Sequence, residues 1–113
     1  MDGVGAGVVV LVRFPFSDLS SSKLRPALVV APAGGTDWIL CQITSNPYND
    51  SSAVALTAES FSDGGLPRAS FVRPAKLFTA SESIVVRSVG RLTGLAHRKV
   101  VEAITHVFQA ALT

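Results

Sequence analysis

The sequence predicts a mainly β fold, in which short strands form a compact barrel and one C-terminal helix packs against it. Runs of β-branched and other apolar residues, separated by Gly-, Pro- and Ser-rich segments, recur through residues 7–92. After Gly94 the apolar residues are spaced three and four apart, which is the period of a helix. Many short strands followed by one helix are typical of a small barrel with a packed helix.

Length and composition indicate one globular domain, which we take as residues 1–113. The one cysteine, Cys41, excludes a disulfide framework, and its place in an apolar run favours a small core residue over a reactive thiol. The apolar run at residues 8–12 is too short to span a membrane, and no basic segment precedes it as in a secretory signal. A cytoplasmic location with no membrane partner is therefore expected.

The first half of the chain predicts one strand, a surface loop and a hairpin. The first strand covers residues 7–14 and ends at Pro15, because proline cannot donate a ladder hydrogen bond. The polar, Ser-rich residues 17–23 predict a loop. A Pro-Ala-Gly-Gly turn separates apolar strands at residues 26–31 and 38–43, so these two strands are expected to pair as a hairpin.

Three more strands are predicted after the hairpin, at residues 53–56, 69–73 and 84–92. The second of them is expected to be interrupted at Pro74 and to continue at residues 76–78. In the third, Gly90 indicates a bulge or a bend. The Asp-Gly-Gly sequence at residues 63–65 predicts a turn.

The C-terminal helix is predicted to bury one apolar face. That face consists of Leu95, Val100, Val101, Ile104, Val107, Phe108, Ala111 and Leu112. The two histidines, His97 and His106, are separated by about two and a half helical turns and so lie on roughly opposite sides. They cannot form a shared acid–base pair, and we expect surface or helix-edge positions for both.

Charge is unevenly distributed along the chain. Residues 1–66 carry three basic and six acidic side chains, whereas residues 67–113 carry seven basic and two acidic ones. A basic half attracts polyanions such as nucleic acid. A solvated basic surface without a partner explains the same distribution equally well.

The usual catalytic sets are missing from the sequence. It has no metal-ligand spacing, no Gly-rich phosphate loop before a helix and no paired carboxylates. RNA cleavage needs none of these, because the ribose 2′-OH is itself a nucleophile. An arginine that binds phosphate oxygens and a nearby hydroxyl group then suffice for a site.

Arg25 and Thr44 are placed to form such a site. Arg25 begins the second strand and Thr44 ends the third, so the open end of their hairpin brings the two residues together. Taken alone, a strand-edge arginine and a turn-capping threonine remain the simpler interpretations.

Several motifs together resemble the MazF/PemK toxin family. They are the stretch at residues 7–16, the polar loop at 20–23, Arg25-Pro26 before an apolar strand, and Cys-Gln-Ile-Thr-Ser at 41–45. Further motifs at residues 65–66, 71–77 and 90–92 follow in the order found in the family, and the helix comes after them. The resemblance covers essentially the whole chain.

The resemblance implies a fold, an activity and partners. The fold is an SH3-like small barrel, which the family shares with toxins that poison DNA gyrase. The activity is sequence-specific, metal-independent and cofactor-free cleavage of single-stranded RNA, which yields a 2′,3′-cyclic phosphate and a 5′-hydroxyl. The partners are a second copy of the chain and an antitoxin whose disordered segment covers the RNA groove.

Site residues are also implied by the resemblance. Arg25 corresponds to the residue that stabilises the transition state, and Thr44 to its hydroxyl partner. The candidates for RNA contacts are Ser45, Arg73, Lys23, Ser20, Gln42 and Lys76, with Arg73 ranked below Arg25. Ala75 stands where some members carry an acid, so a general base at that position is not available.

The sequence leaves two alternative functions open. The same barrel serves non-catalytic toxins of the gyrase-poison type, so the fold alone does not decide the function. A degenerate module that binds nucleic acid without cutting it is the other alternative. Cleavage assays on a long RNA, with gyrase tested in parallel, separate these possibilities.

Overall fold

The computed structural model describes residues 3–13 and 23–113. Seven strands of these ranges form one antiparallel sheet with the order β4-β6-β3-β2-β1-β7-β5. The strands are β1 (Val8–Arg13), β2 (Leu24–Gly34), β3 (Asp37–Thr44), β4 (Val54–Leu56), β5 (Phe61–Gly64), β6 (Ser70–Ser81) and β7 (Val85–Leu92). One helix, α1 (Gly94–Ala110), follows the last strand. The predicted mainly β fold with a C-terminal helix is confirmed.

The connection between β4 and β5 explains why the sheet is curled. These two strands are the outer edges of the sheet, yet only residues 57–60 separate them in sequence. Laid flat, the two edges of seven strands would be about 29 Å apart, which is six inter-strand spacings. The chain from Leu56 to Phe61 spans at most about 18 Å. The sheet therefore has to curl into a half-barrel that brings its edges together.

The curled sheet has a core on each face. One cluster includes Val9, Leu28 and Val72 from the sheet, together with Val100 and Ile104 from α1. The other cluster includes Val8, Val10, Val12, Ala27, Val29 and Leu40. Strand alternation produces this division, because successive residues of β1 point to opposite faces.

Strand β6 is interrupted in its pairing at Pro74 and continues beyond it, as predicted. Pro74 does not end the strand; instead, the pairing with β3 jumps from Val72 to Leu77, and residues 73–76 bulge opposite Gln42. A bulge accommodates proline because no ladder bond is required from its nitrogen. The carbonyl oxygen of Arg73 in this bulge accepts a hydrogen bond from the buried Cys41 thiol at 2.9 Å. Cys41 is a core residue, as predicted.

Two further features differ from the sequence prediction, and a third agrees with it. Strand β2 runs on through the expected turn to Gly34, and residues 61–64 form a strand that was not predicted. The bulge expected near Gly90 is present as a register shift in the β1–β7 pairing. Residue 14 of the predicted first strand, Pro15 and residues 17–22 of the predicted loop lie outside the described residues.

The predicted burial of the helix face is wrong for most of its residues. Only Val100 and Ile104 are buried, because α1 lies across a strongly curved sheet and contacts it along a narrow strip. Five members of the predicted face are exposed, namely Leu95, Val101, Phe108, Ala111 and Leu112. In the described part of the chain, no helix combines the length and the hydropathy that crossing a membrane requires.

A close approach of two backbones joins β5 to β7. Gly64 has a φ of 64°, and a Cβ atom added to it would lie 2.2 Å from the carbonyl oxygen of Val89. Gly90, its partner in β7, has a similarly crowded position near Asp63 and Gly65. The two glycines therefore allow the edge strand β5 to lie directly on β7.

We predict that Gly64→Ala destabilises the protein more than Gly35→Ala does. Gly35 has a φ of 58°, so both substitutions bear the left-handed strain of about 1–2 kcal/mol. A Cβ at Gly35 meets nothing within 4 Å, whereas at Gly64 it collides with backbone. The clash is expected to add roughly 1–3 kcal/mol. Urea unfolding of the two variants measures the difference, and equal losses of stability would contradict the close approach.

Candidate functional site

A cleft of about 420 Å³ lies where the hairpin of β2 and β3 opens, beside β1 and β7. Arg25 and Pro26 from β2, Thr44 from β3 and Arg87 from β7 line it. The segment before β6 completes the wall. Among the described residues that line the cleft none is acidic, so the charged side chains of this part of the lining are all basic.

The hairpin register brings Arg25 and Thr44 together. Ala27 pairs with Gln42, and in an antiparallel ladder each step along one strand is a step back along the other. Two steps beyond this pair, Arg25 lies opposite Thr44. Directly opposed residues have Cα atoms roughly 4.5–5.5 Å apart and project to the same face of the sheet. The predicted proximity of these two residues is thus present in the fold.

The hydroxyl of Thr44 is held by the chain that follows it. Its Oγ1 accepts a hydrogen bond from the Asn46 backbone nitrogen at 3.2 Å and donates to the Asn46 carbonyl oxygen at 3.1 Å. The accepted bond fixes the position of the oxygen atom. The hydrogen remains free to rotate, so a phosphate oxygen can replace the carbonyl as its acceptor.

Side-chain turns order the loop after Thr44. Asn46 Oδ1 accepts from the Tyr48 nitrogen at 2.9 Å, and Asp50 Oδ1 accepts from the Ser52 nitrogen at 3.1 Å. Each of these bonds closes a two-residue turn. Tyr48 has a φ of 56°, which such a sharply turning chain requires. The loop therefore has a defined path from the cleft to Asp50.

Arg73 anchors this loop rather than the cleft. Its Nε donates to Asp50 Oδ2 at 3.0 Å, and the side chains are only 25% and 13% exposed, respectively. Hydrogen bonds from Ser52 and Arg73 lower the pKa of the Asp50 carboxyl. Arg73 is not among the cleft-lining residues. The geometry supports a positioning role for Arg73, through the loop that follows Thr44.

The remaining predicted RNA contacts divide into three groups. Lys23 and Ser45 are exposed and line the cleft beside Arg25 and Thr44. Gln42 and Lys76 lie outside the cleft lining, in the middle of β3 and in the β6 bulge. Ser20 lies outside the described residues.

Arg68, Ser70 and Arg87 also line the cleft and were not predicted. All three come from the second half of the chain, which carries most of the basic residues. The uneven charge was therefore a signal for them. Their individual positions depend on the pairing of β7 with β1, which no local pattern indicates.

The histidines and the cysteine lie away from this chemistry. His97 is half-buried, which lowers its pKa, although a hydrogen bond to the Val30 backbone opposes the shift. It is more enclosed than predicted, whereas His106 is exposed as expected. Burial, together with the charge of Asp50, raises the pKa of the Cys41 thiol to about 12. Within residues 3–13 and 23–113, no group of three His, Cys, Asp or Glu side chains could hold a metal ion.

Comparisons with known proteins agree with this architecture. Residues 6–108 match the model of the family described as PemK-like, MazF-like toxins of type II toxin–antitoxin systems. A search of curated protein sequences gave no significant match.

Solved structures with the same fold include the Mycobacterium tuberculosis toxin MazF-mt6, with 20% identity and a TM-score of 0.70 over 90% of this chain and 96% of that one. An endoribonuclease from a mycobacterial species, solved with its cognate antitoxin, has 16% identity and a TM-score of 0.74, covering 95% and 96%. A MazE–MazF complex from Deinococcus radiodurans has 19% identity and a TM-score of 0.72, covering 92% and 94%.

We predict that Asp50→Asn lowers stability at neutral pH but not in acid. The carboxylate is favoured in the folded protein, so its stabilising effect is complete above its unfolded pKa of about 3.9. The effect disappears as the pH falls through the lower folded value. Urea unfolding at neutral pH and well below that pKa measures it, with Asp37→Asn as a charge-matched control at an exposed position. A stability difference that does not change with pH would contradict the ion pair.

Proposed function

The chain belongs to the family of PemK-like, MazF-like toxins of type II toxin–antitoxin systems, and from this membership we propose that it is an endoribonuclease. Its substrate is single-stranded RNA, which it cuts at specific short sequences without a metal ion. The observation that carries the proposal is the opposition of Arg25 and Thr44 in a cleft whose described lining residues are basic, polar or apolar.

The reaction begins with the ribose 2′-OH next to the scissile phosphate. The 2′-OH loses its proton to water as its oxygen attacks the phosphorus, the bond to the 5′-oxygen of the next nucleotide breaks, and that oxygen takes up a proton from water. The products are a 2′,3′-cyclic phosphate and a 5′-hydroxyl. Because the substrate supplies the nucleophile, the protein has to orient the phosphate and stabilise the charge that develops on it.

Arg25 is suited to the stabilising role. Its planar guanidinium donates two parallel hydrogen bonds to phosphate oxygens, which become more negative as the 2′-oxygen attacks. It is exposed and, among the described residues, its side chain has no competing carboxylate. No ion pair with a described residue has to break before the guanidinium binds substrate.

Thr44 supplies the second contact. The Asn46 nitrogen holds its oxygen in place, and its hydrogen turns from the Asn46 carbonyl to a phosphate oxygen when RNA binds. Ser45 and Lys23 extend the polar rim of the cleft and contact the neighbouring nucleotides.

We also propose an antitoxin partner and a homodimer. Structures of similar fold were solved with a cognate antitoxin or as a MazE–MazF complex. A disordered antitoxin segment with carboxylates would bind the positive cleft and exclude RNA. Dimerisation would cover apolar side chains of α1 and of the turn after it, where Phe108 is 61% and Leu112 is 85% exposed. Sedimentation at micromolar concentration tests the dimer, and a monomer there would count against it.

We predict that Arg25→Ala lowers the rate of RNA cleavage by about a hundredfold or more, the scale seen when a charge-stabilising donor is lost. Because the side chain is exposed, unfolding in urea is expected to stay within about 0.5 kcal/mol of the parent protein. Arg98→Ala is the control, since it removes the same charge from an exposed position on α1.

Near-normal cleavage by the Arg25 variant would overturn the assignment of the site. Retained RNA binding by the parent protein without any cut product would instead indicate the non-catalytic module. Both results come from one gel assay with a long RNA and a parallel binding measurement.

A further inference from the structure

The arginines of this chain divide into two groups by their contacts. Four of the seven have interactions within the protein, namely Arg13, Arg73, Arg91 and Arg98. Within the described ranges, the side chains of the other three form no hydrogen bond or ion pair, and these are Arg25, Arg68 and Arg87. All three line the same cleft. The arginines that have no partner among the described residues are thus gathered in one place.

Arg87 lies across β1 from the Arg25 side of the cleft. Leu11 of β1 pairs with Pro26 on one side and with Arg87 on the other. Cross-strand partners project to the same face, so Arg87 and Pro26 border the cleft two inter-strand spacings apart, or about 10 Å. Arg25 precedes Pro26 and, by alternation, begins on the other face of the strand end. Arg25 and Arg87 therefore border different sides of one opening.

Arg68 is held on the Arg87 side by its own segment. The Gly65 nitrogen donates to the Val89 carbonyl oxygen at 3.1 Å, which fastens the segment to β7 two residues from Arg87. The buried Ser70 donates through Oγ to the Arg68 carbonyl oxygen at 3.0 Å. Both ends of the short segment from Gly65 to Ser70 are fixed, so Arg68 and Arg87 belong to the same wall.

Like charges gathered without a carboxylate repel one another, and a bound anion removes the repulsion. Arg25 and Thr44 take one phosphate in the proposed reaction, which leaves two guanidinium groups on the opposite wall. RNA has a second anion one nucleotide away from the first. A ligand with at least two negative groups in succession matches this arrangement.

We propose that Arg68 and Arg87 form a second phosphate site, which binds the RNA phosphate adjacent to the one being cut. This inference rests on the proposed function and deepens it. The bound phosphate does not react, so the two arginines stabilise the ground state and the transition state equally. They position the RNA strand, while Arg25 acts on the reacting group.

The first experiment compares Arg68→Gln and Arg87→Gln with Arg98→Gln, which removes the same charge from the surface of α1. Each cleft variant is expected to raise KM about tenfold with kcat nearly unchanged. The logarithm of the RNA-binding constant falls linearly with the logarithm of the salt concentration. For single-stranded RNA, each lost phosphate contact also makes this slope less steep by about 0.7. The control variant leaves KM and the slope unchanged. A fall in kcat with constant KM would overturn a role in positioning.

The second experiment identifies the phosphate itself. Uncleavable 2′-deoxy oligonucleotides of the mapped cut sequence each carry one neutral methylphosphonate linkage, and fluorescence anisotropy measures their binding. In the parent protein, neutralising one linkage next to the cut site weakens binding about tenfold. In Arg87→Gln the same neutralisation has a smaller effect, because one of the two guanidinium contacts is already lost. Equal losses in parent and variant at every linkage would overturn the second site.

The outcomes separate this inference from the proposed function. One outcome is that the parent protein binds RNA without cutting it, while the neutral linkage weakens binding more in the parent than in Arg87→Gln. The nuclease assignment then fails and the second site stands. If the parent protein neither binds nor cuts RNA, both fail. If the Gln variants bind poly-glutamate more weakly but RNA normally, the site takes carboxylates instead of phosphates, and the proposal is overturned.

Discussion

The short connection between the two outer strands is the constraint on which the rest of the structure depends. Since residues 57–60 join β4 to β5, the seven-stranded sheet has to curl. Helix α1 then packs Val100 and Ile104 against one face of the curled sheet, in the cluster that contains Val9. The same curl brings the segment before β6 and the strand β7 around the open end of the β2–β3 hairpin. Gly64 and Gly90 permit the contact of β5 with β7 that completes this wall. The cleft is therefore a consequence of the closure of the sheet.

The charges of the molecule are arranged around that cleft. Arg73 is neutralised by Asp50 and holds the loop after Thr44, whereas Arg25, Arg68 and Arg87 line the opening without a carboxylate among the lining residues. Such an arrangement costs electrostatic energy in the free protein, and a polyanion offsets it on binding. The chain belongs to a family of toxins of type II toxin–antitoxin systems, and on this basis we propose an RNA ligand and an antitoxin that competes with it.

Features that depend on neighbouring residues in sequence were predictable. The turn between two apolar strands predicted a hairpin whose open end holds Arg25 and Thr44, and the burial of Cys41 was predictable too. The two register shifts that place Ala27 opposite Gln42 were not. Features that depend on distant pairing were not. The contact of Arg73 with Asp50 joins residues 23 positions apart, and the position of Arg87 depends on β7 lying beside β1. Periodicity likewise identified the apolar face of α1 without indicating how narrow a strip the curved sheet would cover.

The central claim is that RNA supplies the nucleophile for its own cleavage in this cleft. One pair of oligonucleotides tests it most directly: an all-RNA strand containing the mapped cut sequence, and the same strand with a single 2′-deoxyribose on the 5′ side of the cut. Both are incubated with the protein in excess EDTA, and the product ends are identified by mass spectrometry. The account predicts that the first strand yields a 2′,3′-cyclic phosphate and a 5′-hydroxyl, while the second binds but stays intact. Cleavage of the deoxy strand, or loss of all cleavage in EDTA, would contradict it.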